Sequence, residues 1–258
     1  MPSKERDAPE GRIDRCMTGI EALDNLLDGG IPRGNTVLIT GAVGTGKTSL
    51  CLEFLVHGAL RGENSLYISV TESTDKLLKN IIPYDFFDDK LVKEGRLHVL
   101  DLPVIYERLG LDRPEFDYEE INILINAIVN LVTELKVKRL VLDSITSVAY
   151  RLKSEEILRE FVLKLGAQLS ALGCTTLVVS EISPSGERYS SYGVEEAISD
   201  GIIVMANLER RGDLLRTLQV VKMRGTMHSR TKYVLDLTTT GVLLVPLLKG
   251  GSVAAGGG

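Results

Sequence analysis

Residues 36–50, TVLITGAVGTGKTSL, decide the fold of this protein. They begin with an apolar, β-branched run over residues 36–40, which is typical of a buried parallel strand. Residues 41–48 then match the pattern G-x-x-x-x-G-K-[ST], and residues 49–60 have the spacing of an amphipathic helix. A strand, a glycine loop and a helix in this order are the context in which the pattern binds the phosphates of a nucleotide.

The residue types in this loop suit a triphosphate. Glycines let backbone N–H groups converge on phosphate oxygens, and the N-terminus of the following helix adds partial positive charge. Lys47 is expected to reach the β- and γ-phosphates, and the hydroxyl of Thr48 is expected to bind Mg²⁺. The alternative is an ordinary glycine-rich turn between a strand and a helix, and the correct flanking elements argue against it.

The composition fits one large α/β domain. The chain has 258 residues, of which 44% are hydrophobic, and this is enough for a sizeable core. Its formal net charge of −5 gives no overall attraction to nucleic acid or to an anionic membrane. Cys16, Cys51 and Cys174 are far apart, which predicts buried free thiols in a reducing compartment. No apolar run has membrane-spanning length and no signal peptide is evident, so we expect a cytoplasmic protein without membrane contact.

The order of the predicted elements indicates the architecture. Strands alternate with helices first, and consecutive strands close the chain, which predicts a three-layer α/β fold whose mainly parallel sheet has a C-terminal antiparallel extension. Thr18 is expected to cap the first helix with Glu21 completing a capping box, and residues 103–116 are expected to form a loop that can include a helical turn. The predicted strands are 36–40, 65–70, 97–100, 139–143, 175–180, 201–207, 215–222, 232–236 and 242–245, and the predicted helices are 18–27, 49–60, 74–82, 118–135 and 155–172.

We expect one folded domain over residues 13–248. The polar segment 1–12 before it is predicted to be disordered. The Gly/Ala-rich tail over 249–258 is predicted to be flexible.

Two carboxylates follow predicted strands. Asp143 ends the apolar run 140–142, where an aspartate at the carboxyl end of a buried parallel strand points into the ligand crevice and can hold Mg²⁺. Glu72 follows the strand over 65–70 and is a candidate for activating the water that attacks the γ-phosphate. The alternatives are a helix cap for Asp143 and a capping or surface glutamate for Glu72.

A basic segment, KMRGTMH at residues 222–228, follows the strand over 215–221. Lys222 and Arg224 are two residues apart, so on a strand they face the same side and can clamp a phosphate. The alternative is a solvated basic strand end. His228 either senses the phosphate or caps the turn, and the residues alone do not separate these two roles.

Four segments together resemble the RecA superfamily, and within it the KaiC-like branch. The segments YGVEEAISDGIIV and KMRGTMHS are far more specific to this branch than the glycine loop is. The resemblance covers residues 18 to about 246. The four segments are TGIEALDNLLDGGIPRGNTVLITGAVGTGKTSL at 18–50, RLVLDSIT at 139–146, YGVEEAISDGIIV at 192–204 and KMRGTMHS at 222–229.

This resemblance implies an ATPase core that stacks into a homo-oligomeric ring, usually a hexamer, with ATP and Mg²⁺ between neighbouring subunits. It implies that Thr48 and Asp143 serve the metal. Lys222, Arg224 and His228 would reach the γ-phosphate from the adjacent subunit. The residues that would cradle the phosphates are Gly44, Thr45, Gly46, Lys47, Thr48 and Ser49.

One departure from the family pattern leaves alternatives open. The family often has two adjacent glutamates after the second strand, whereas this chain has Thr71 followed by Glu72. Turnover is therefore expected to be slow, and an ATP-dependent assembly scaffold with little hydrolysis and an unidentified protein partner is the second hypothesis. A DNA-repair or recombination accessory ATPase is the third. Nucleic acid is not the expected partner, because the loop over 183–193 carries one basic residue, Arg188.

Overall fold

The structure, a computed structural model, describes residues 13–111, 117–152, 154–182, 189–190 and 192–247. The segments predicted to be disordered or flexible, 1–12 and 249–258, lie outside these residues, so the predicted domain boundaries stay predictions. No helix within the described residues is long and apolar enough to cross a membrane.

A single large sheet lies at the centre of the fold. Its strands are β3 (Thr36–Gly41), β4 (Asn64–Ser69), β5 (Leu97–Asp101), β6 (Val137–Asp143), β7 (Thr175–Glu181), β8 (Gly201–Arg210), β9 (Asp213–Met223), β10 (Tyr233–Thr238) and β11 (Gly241–Pro246). Their spatial order is β11-β10-β9-β8-β3-β7-β6-β4-β5. Two short strands, β1 (Arg15–Cys16) and β2 (Ile31–Pro32), form a separate antiparallel pair.

Strand direction divides this sheet into two parts. From β5 to β8 every neighbouring pair is parallel. From β8 to β11 every neighbouring pair is antiparallel. The mainly parallel sheet with a C-terminal antiparallel extension is therefore confirmed. Because β3 lies between β7 and β8, the strand that leads into the glycine loop is buried at all six of its residues.

Helices cover both faces of the sheet, as a three-layer fold requires. The helices are α1 (Glu21–Leu26), α2 (Lys47–Leu60), α3 (Thr74–Ile81), α4 (Lys90–Lys93), α5 (Leu102–Arg108), α6 (Tyr118–Glu134), α7 (Ile145–Leu152), α8 (Glu155–Ala171) and α9 (Val194–Ile198). One apolar core packs α1, α2, α3 and α4 against the sheet and includes Phe54 and Leu55. A second core packs α5, α6, α7 and α8 against the other face and includes Leu124 and Phe161.

The predicted capping box at Thr18 is wrong. Helix α1 begins at Glu21, its N-cap position is Ile20, and no side chain of the described residues caps it. Thr18 instead donates its backbone N–H and its hydroxyl to the buried carboxylate of Asp24, at 2.6 and 2.8 Å. Thr18 lies too far before the helix to cap it, and the carboxylate of Asp24 accepts hydrogen bonds from the N–H groups of Thr18 and Gly19 in the segment before the helix.

The segment 103–116, predicted to be a loop that can include a helical turn, contains more helix than one turn, because residues 103–108 belong to helix α5. Pro103 occupies the first turn of this helix, where its missing N–H costs nothing. Leu102 and Tyr106, four residues apart, are both buried and anchor α5 in the second core. Residues 112–116 lie outside the described residues. The described segment before β8 contains the short helix α9, which is not among the predicted helices.

A buried arginine joins α2 to the sheet. Arg139 on β6 is only 1% exposed, and its Nε lies 2.6 Å from Glu63 Oε2. Its Nη1 donates to the carbonyl of Phe54 at 2.8 Å, and its guanidinium lies over the Phe54 ring. Gly58 leaves room for this side chain, because a Cβ there would lie 2.3 Å from Arg139 Cδ. Arg33 also pairs with Glu63, at 2.6 Å, so the carboxylate bridges two cations.

We predict that Arg139→Ala lowers the free energy of unfolding by about 3 kcal/mol, because it leaves a partly buried carboxylate and a buried carbonyl without their main partner. Denaturant titration followed by circular dichroism measures this loss. The control is Lys93→Ala, which breaks an exposed ion pair with Asp89 and should leave the midpoint nearly unchanged. Equal stability of the two variants would contradict the prediction.

Candidate functional site

The carboxyl ends of four parallel strands meet at one edge of the sheet. Gly41 ends β3 and lies opposite Glu181, the last residue of β7. Asp143 ends β6 and lies opposite Ser69, the last residue of β4. Beside this edge is a cavity of about 380 Å³, and its lining includes Gly44, Lys47, Thr48, Glu72, Asp143 and Glu181. Residues that are more than a hundred positions apart in sequence therefore face one space.

The backbone of the glycine loop explains two of its glycines. Gly41 passes so close to β8 that a Cβ would lie 2.1 Å from the carbonyl oxygen of Met205. Gly46 is the N-cap residue of α2 and has a φ of 95°, which a side chain disfavours. The loop thus turns directly from β3 into α2, whose first N–H groups are left free of intrahelical partners. An anion at this helix N-terminus would satisfy them.

Lys47 lines the cavity. Its Nζ donates to the carbonyls of Gly41 and Ala42, at 2.8 and 2.9 Å. Burial lowers the pKa of Lys47, while the negative charges of Glu181 and Asp143 act in the opposite direction. Thr45 is buried beneath the loop, where its hydroxyl donates to Ala42 O at 2.9 Å, so its side chain stabilises the loop and does not line the cavity.

Asp143 and Thr48 form the candidate magnesium site. The Thr48 hydroxyl donates to Asp143 Oδ2 at 3.2 Å, and the Tyr67 hydroxyl donates to the same oxygen. Burial raises the pKa of Asp143, and the hydrogen bonds from Tyr67 and Thr48 and the charge of Lys47 counteract this rise. A hydroxyl and a carboxylate oxygen are ligands that Mg²⁺ prefers. The peptide bond between Asp143 and Ser144 is cis.

These two oxygens would not hold a metal by themselves. Within the described part of the chain, no group of three or more His, Cys, Asp or Glu side chains is arranged to bind a metal ion. Mg²⁺ typically keeps several waters and takes further oxygens from the substrate phosphates. The donor set therefore fits a metal that arrives with a nucleotide.

Glu72 and Thr71 both line the cavity next to the end of β4. The backbone N–H of Glu72 donates to Ser69 Oγ at 3.0 Å, and its carboxylate pairs with Lys76 Nζ at 2.9 Å. The Glu72 side chain is about one third exposed, so water can reach it. Its location is consistent with the predicted role of activating water. Any movement of the Glu72 carboxylate during catalysis would have to break its ion pair with Lys76.

Tyr67 and Glu181 were not predicted as site residues. Tyr67 is part of an apolar strand, and Glu181 is the residue after the predicted end of β7. Both line the cavity, and the negative charge of Glu181 is the strongest of those that counteract the lowering of the Lys47 pKa by burial. A signal for Glu181 was present, since it follows an apolar strand just as Asp143 does. Ser49, which was predicted, lines the cavity and accepts a hydrogen bond from Tyr84 at 3.1 Å.

Lys222 and Arg224 lie toward the opposite edge of the sheet. Lys222 pairs with Ile202 on β8, which in turn pairs with Leu38 on β3, three residues before the glycine loop. The backbone N–H of Arg224 donates to Asp200 O at 2.8 Å, near the start of β3. At 3.3 Å per residue, Gly41 lies roughly 10 Å along β3 from the level of Lys222 and roughly 16 Å from the level of Thr36, near Arg224. None of the three predicted basic residues, Lys222, Arg224 and His228, lines the cavity.

Each of these residues has distinct surroundings. Lys222 Nζ donates to the carbonyls of Glu196 and Ser199, and burial lowers its pKa, with the charge of Arg224 adding to this effect. Both ring nitrogens of His228 are buried and have no hydrogen-bond partner among the described residues. The structure thus brings the two cations together but not with the cavity of the same chain.

Sequence comparison identifies the family. The family described as "ATPase: KaiC" matches residues 16–249, which covers the glycine loop, Asp143 and the basic segment. This chain belongs to the KaiC family of ATPases. The KaiC-like resemblance drawn from its motifs is therefore confirmed.

Relatives of two sizes share this KaiC domain. A UPF0273 protein of Thermotoga maritima is 33% identical over 91% of this chain and 97% of its own length. The circadian clock oscillator protein KaiC of Nostoc is 32% identical over 91% of this chain and 45% of its own length. The chain thus spans about half the length of the clock relatives that it matches.

A solved structure supports the same fold. The crystal structure of a KaiC-like protein from the hyperthermophile Pyrococcus horikoshii OT3 superposes with a TM-score of 0.78 and 33% sequence identity. The match covers 91% of this chain and 100% of that one. The KaiC-type arrangement of the sheet is therefore shared, whereas the roles of individual site residues remain predictions. Residues 183–188, including Arg188, lie outside the described residues.

We predict that Lys47→Ala abolishes nucleotide binding. Among the described residues, Lys47 is the only lysine that lines the cavity, and it is expected to bind the phosphates. Equilibrium binding of a fluorescent ATP analogue measures the effect. The control is Lys79→Ala, which removes an exposed lysine of α3 that does not line the cavity and should leave affinity within about twofold. Undiminished binding by the Lys47 variant would mean that the nucleotide occupies another site.

Proposed function

We propose that the protein is a Mg²⁺-dependent ATPase that binds ATP at the subunit interfaces of a homo-oligomeric ring, expected to be a hexamer. ATP and water are converted to ADP and phosphate, and the rate is expected to be low. A cytoplasmic regulatory or signalling role fits such a cycle, with an unidentified protein partner. The homo-oligomeric ring is inferred from the resemblance to KaiC, and the reaction is inferred from the residues of this chain.

One observation carries the proposal. The phosphate-binding loop and the two clamping cations, Lys222 and Arg224, lie at opposite edges of the same sheet. A chain cannot bring both groups to one nucleotide without unfolding the sheet between them. Head-to-tail association joins opposite surfaces of successive subunits and closes into a ring when the rotation allows it. In such a ring, the clamp of one subunit can meet the loop of the next.

In this proposal, different residues of the cavity bind the phosphates, bind the metal and activate the water. The loop over 44–49 holds the phosphates, and Lys47 neutralises charge on the β- and γ-phosphates. Thr48 and Asp143 would hold Mg²⁺, which neutralises developing charge on the phosphate oxygens when bound. Glu72 orients the attacking water and accepts its proton. All of these residues except Thr45 line the described cavity.

The neighbouring subunit supplies the remaining charge. Arg224 and Lys222 stabilise the negative charge that develops on the γ-phosphate, as arginine fingers do. His228, whose buried nitrogens have no partner among the described residues, is the third candidate for this phosphate. In this arrangement no isolated subunit has a complete active site, so activity depends on assembly.

We predict that Lys47→Ala and Arg224→Ala are each inactive but partly rescue one another when mixed. In a mixed ring, an interface works when its loop comes from the Arg224 variant and its clamp from the Lys47 variant. For equal amounts and random assembly, roughly a quarter of the interfaces meet this condition. Arg224→Ala alone should lower turnover by about three orders of magnitude. Steady-state phosphate release after joint refolding or subunit exchange measures both effects.

The control for this mixing experiment is Arg230→Ala. Arg230 is an exposed cation six residues beyond Arg224, and its carbonyl accepts a bond from Gln219 that the substitution retains. This variant should keep most of its activity. If the mixture of the Lys47 and Arg224 variants stays inactive while native gels show mixed rings, the active site is not shared between subunits.

A second candidate function, an ATP-dependent scaffold with little hydrolysis, is favoured by the surroundings of Glu72. Thr71 stands where the resemblance leads one to expect another glutamate, and the remaining carboxylate is paired with Lys76. If ATP binding alone sets the ring state, hydrolysis is incidental. The two functions differ in whether the carboxylate of Glu72 is needed.

We predict that Glu72→Gln lowers turnover by about 10²- to 10⁴-fold while leaving ATP binding intact, because it removes a base but keeps the shape of the side chain. Comparing this variant with Glu94→Gln, an exposed glutamate outside the cavity, isolates the effect. Phosphate release and ring assembly are measured on the same samples. Unchanged turnover in the Glu72 variant would favour the scaffold.

A further inference from the structure

Asp200 lies between α9 and β8, at the sheet edge away from the cavity. Its backbone N–H donates to the carbonyl of Thr36 at 2.8 Å, and its Oδ2 accepts from the Thr36 N–H at 3.0 Å. Thr36 is the first residue of β3, the strand that leads into the glycine loop. Two hydrogen bonds to one buried backbone unit therefore fix both the main chain and the carboxylate of Asp200.

The second carboxylate oxygen of Asp200 binds Arg224. The Arg224 Nη1 lies 3.2 Å from Asp200 Oδ1, and the backbone N–H of Arg224 donates to Asp200 O at 2.8 Å. The Arg224 Nη2 also donates to the carbonyl of Ala197 at 3.4 Å. Arg224 is therefore held to Asp200 at both ends of its side chain, although 56% of that side chain is exposed.

This arrangement leaves the guanidinium able to bind a second anion. A guanidinium has five N–H donors, and the described chain uses Nη1 and Nη2 for one contact each. An isolated exposed ion pair of this kind contributes little to stability. A pair whose carboxylate is anchored to the backbone has a different effect. It restricts the rotamers of the arginine before the guanidinium binds an anion.

We propose that Asp200 is a positioning residue that orients Arg224 toward the nucleotide bound by the neighbouring subunit. This inference rests on the proposed function, in which Arg224 acts across the interface. Asp200 touches neither the cavity nor the nucleotide in this arrangement, and it acts through Arg224 alone. Lys222, held by the carbonyls of Glu196 and Ser199, shares the same support at the end of α9.

The first test uses Asp200→Asn, which keeps an acceptor for the Thr36 N–H but removes the charge that pairs with Arg224. The turnover number of the assembled ATPase should fall roughly tenfold, while the KM for ATP stays within about twofold. A purely structural loss would lower the amount of folded protein instead. The matched control is Asp28→Asn, which removes an ion pair of similar length, 3.3 Å, between the exposed Asp28 and the mostly buried Arg15.

The second test locates the effect in one of the two subunits at an interface. The reference is the active mixture of Lys47→Ala, which donates the clamp, and Arg224→Ala, which donates the loop. Adding Asp200→Asn to the clamp donor should lower the activity of this mixture roughly tenfold. Adding it to the loop donor should leave the activity unchanged, because that subunit has no Arg224 to position.

The outcomes separate this proposal from its alternatives. Loss of activity when Asp200→Asn is in the loop donor would overturn it, since Asp200 would then act through Thr36 and its own glycine loop. Higher activity when it is in the clamp donor would also overturn it, because Asp200 would then restrain Arg224. If the reference mixture is inactive, the result contradicts the shared active site of the proposed function, on which this proposal rests.

A second variant keeps the test decisive if Asp200→Asn does not fold. Asp200→Glu retains the charge but extends the carboxylate by one methylene group. It should lower the activity of the mixture by a smaller factor, and again only when it is in the clamp donor. Equal effects in the two donors would overturn the proposal.

Discussion

The close approach of Gly41 to the carbonyl oxygen of Met205 fixes the point at which the glycine loop leaves the sheet, and the other site residues are arranged around this loop. A Cβ at Gly41 would lie 2.1 Å from that oxygen, so only glycine lets β3 lie this close to β8 as the chain leaves the sheet. The chain then turns at Gly46 into α2, whose first turn carries Lys47 and Thr48. The free N–H groups of that turn and both side chains face the cavity only because β3 ends where it does.

Sheet polarity imposes the next constraint. Parallel strands bring their carboxyl ends to one edge, and this collects Asp143, Glu181 and the residues after β4 around the loop. The same polarity places the end of the antiparallel strand β9 at the other edge, with Lys222 and Arg224. The two halves of the proposed phosphate site therefore cannot meet within one chain. Assembly would be a requirement of the chemistry and not an addition to it.

Buried polar groups keep these elements in register. Arg139 ties β6 to α2 through Glu63 and the Phe54 carbonyl, close to the helix that carries the loop residues. Asp200 ties the start of β3 to the segment that carries Arg224. Both groups are satisfied by several partners, as buried or partly buried charges must be. They connect the regions of the chain that the proposed cycle would use.

The sequence by itself determined the glycine loop, the order of the main strands and Asp143, because each of these depends on residues that are adjacent in the chain. Apolar runs and the loop pattern are local, and the KaiC-specific segments are short. The sequence did not reveal Tyr67, Glu181 or Asp200, its capping box at Thr18 was wrong, and it underestimated the helix at the start of residues 103–116. Only the tertiary structure decided these features, because each depends on a partner that folding brings close from elsewhere in the chain: Asp143 for Tyr67, Lys47 for Glu181, and Thr36 and Arg224 for Asp200.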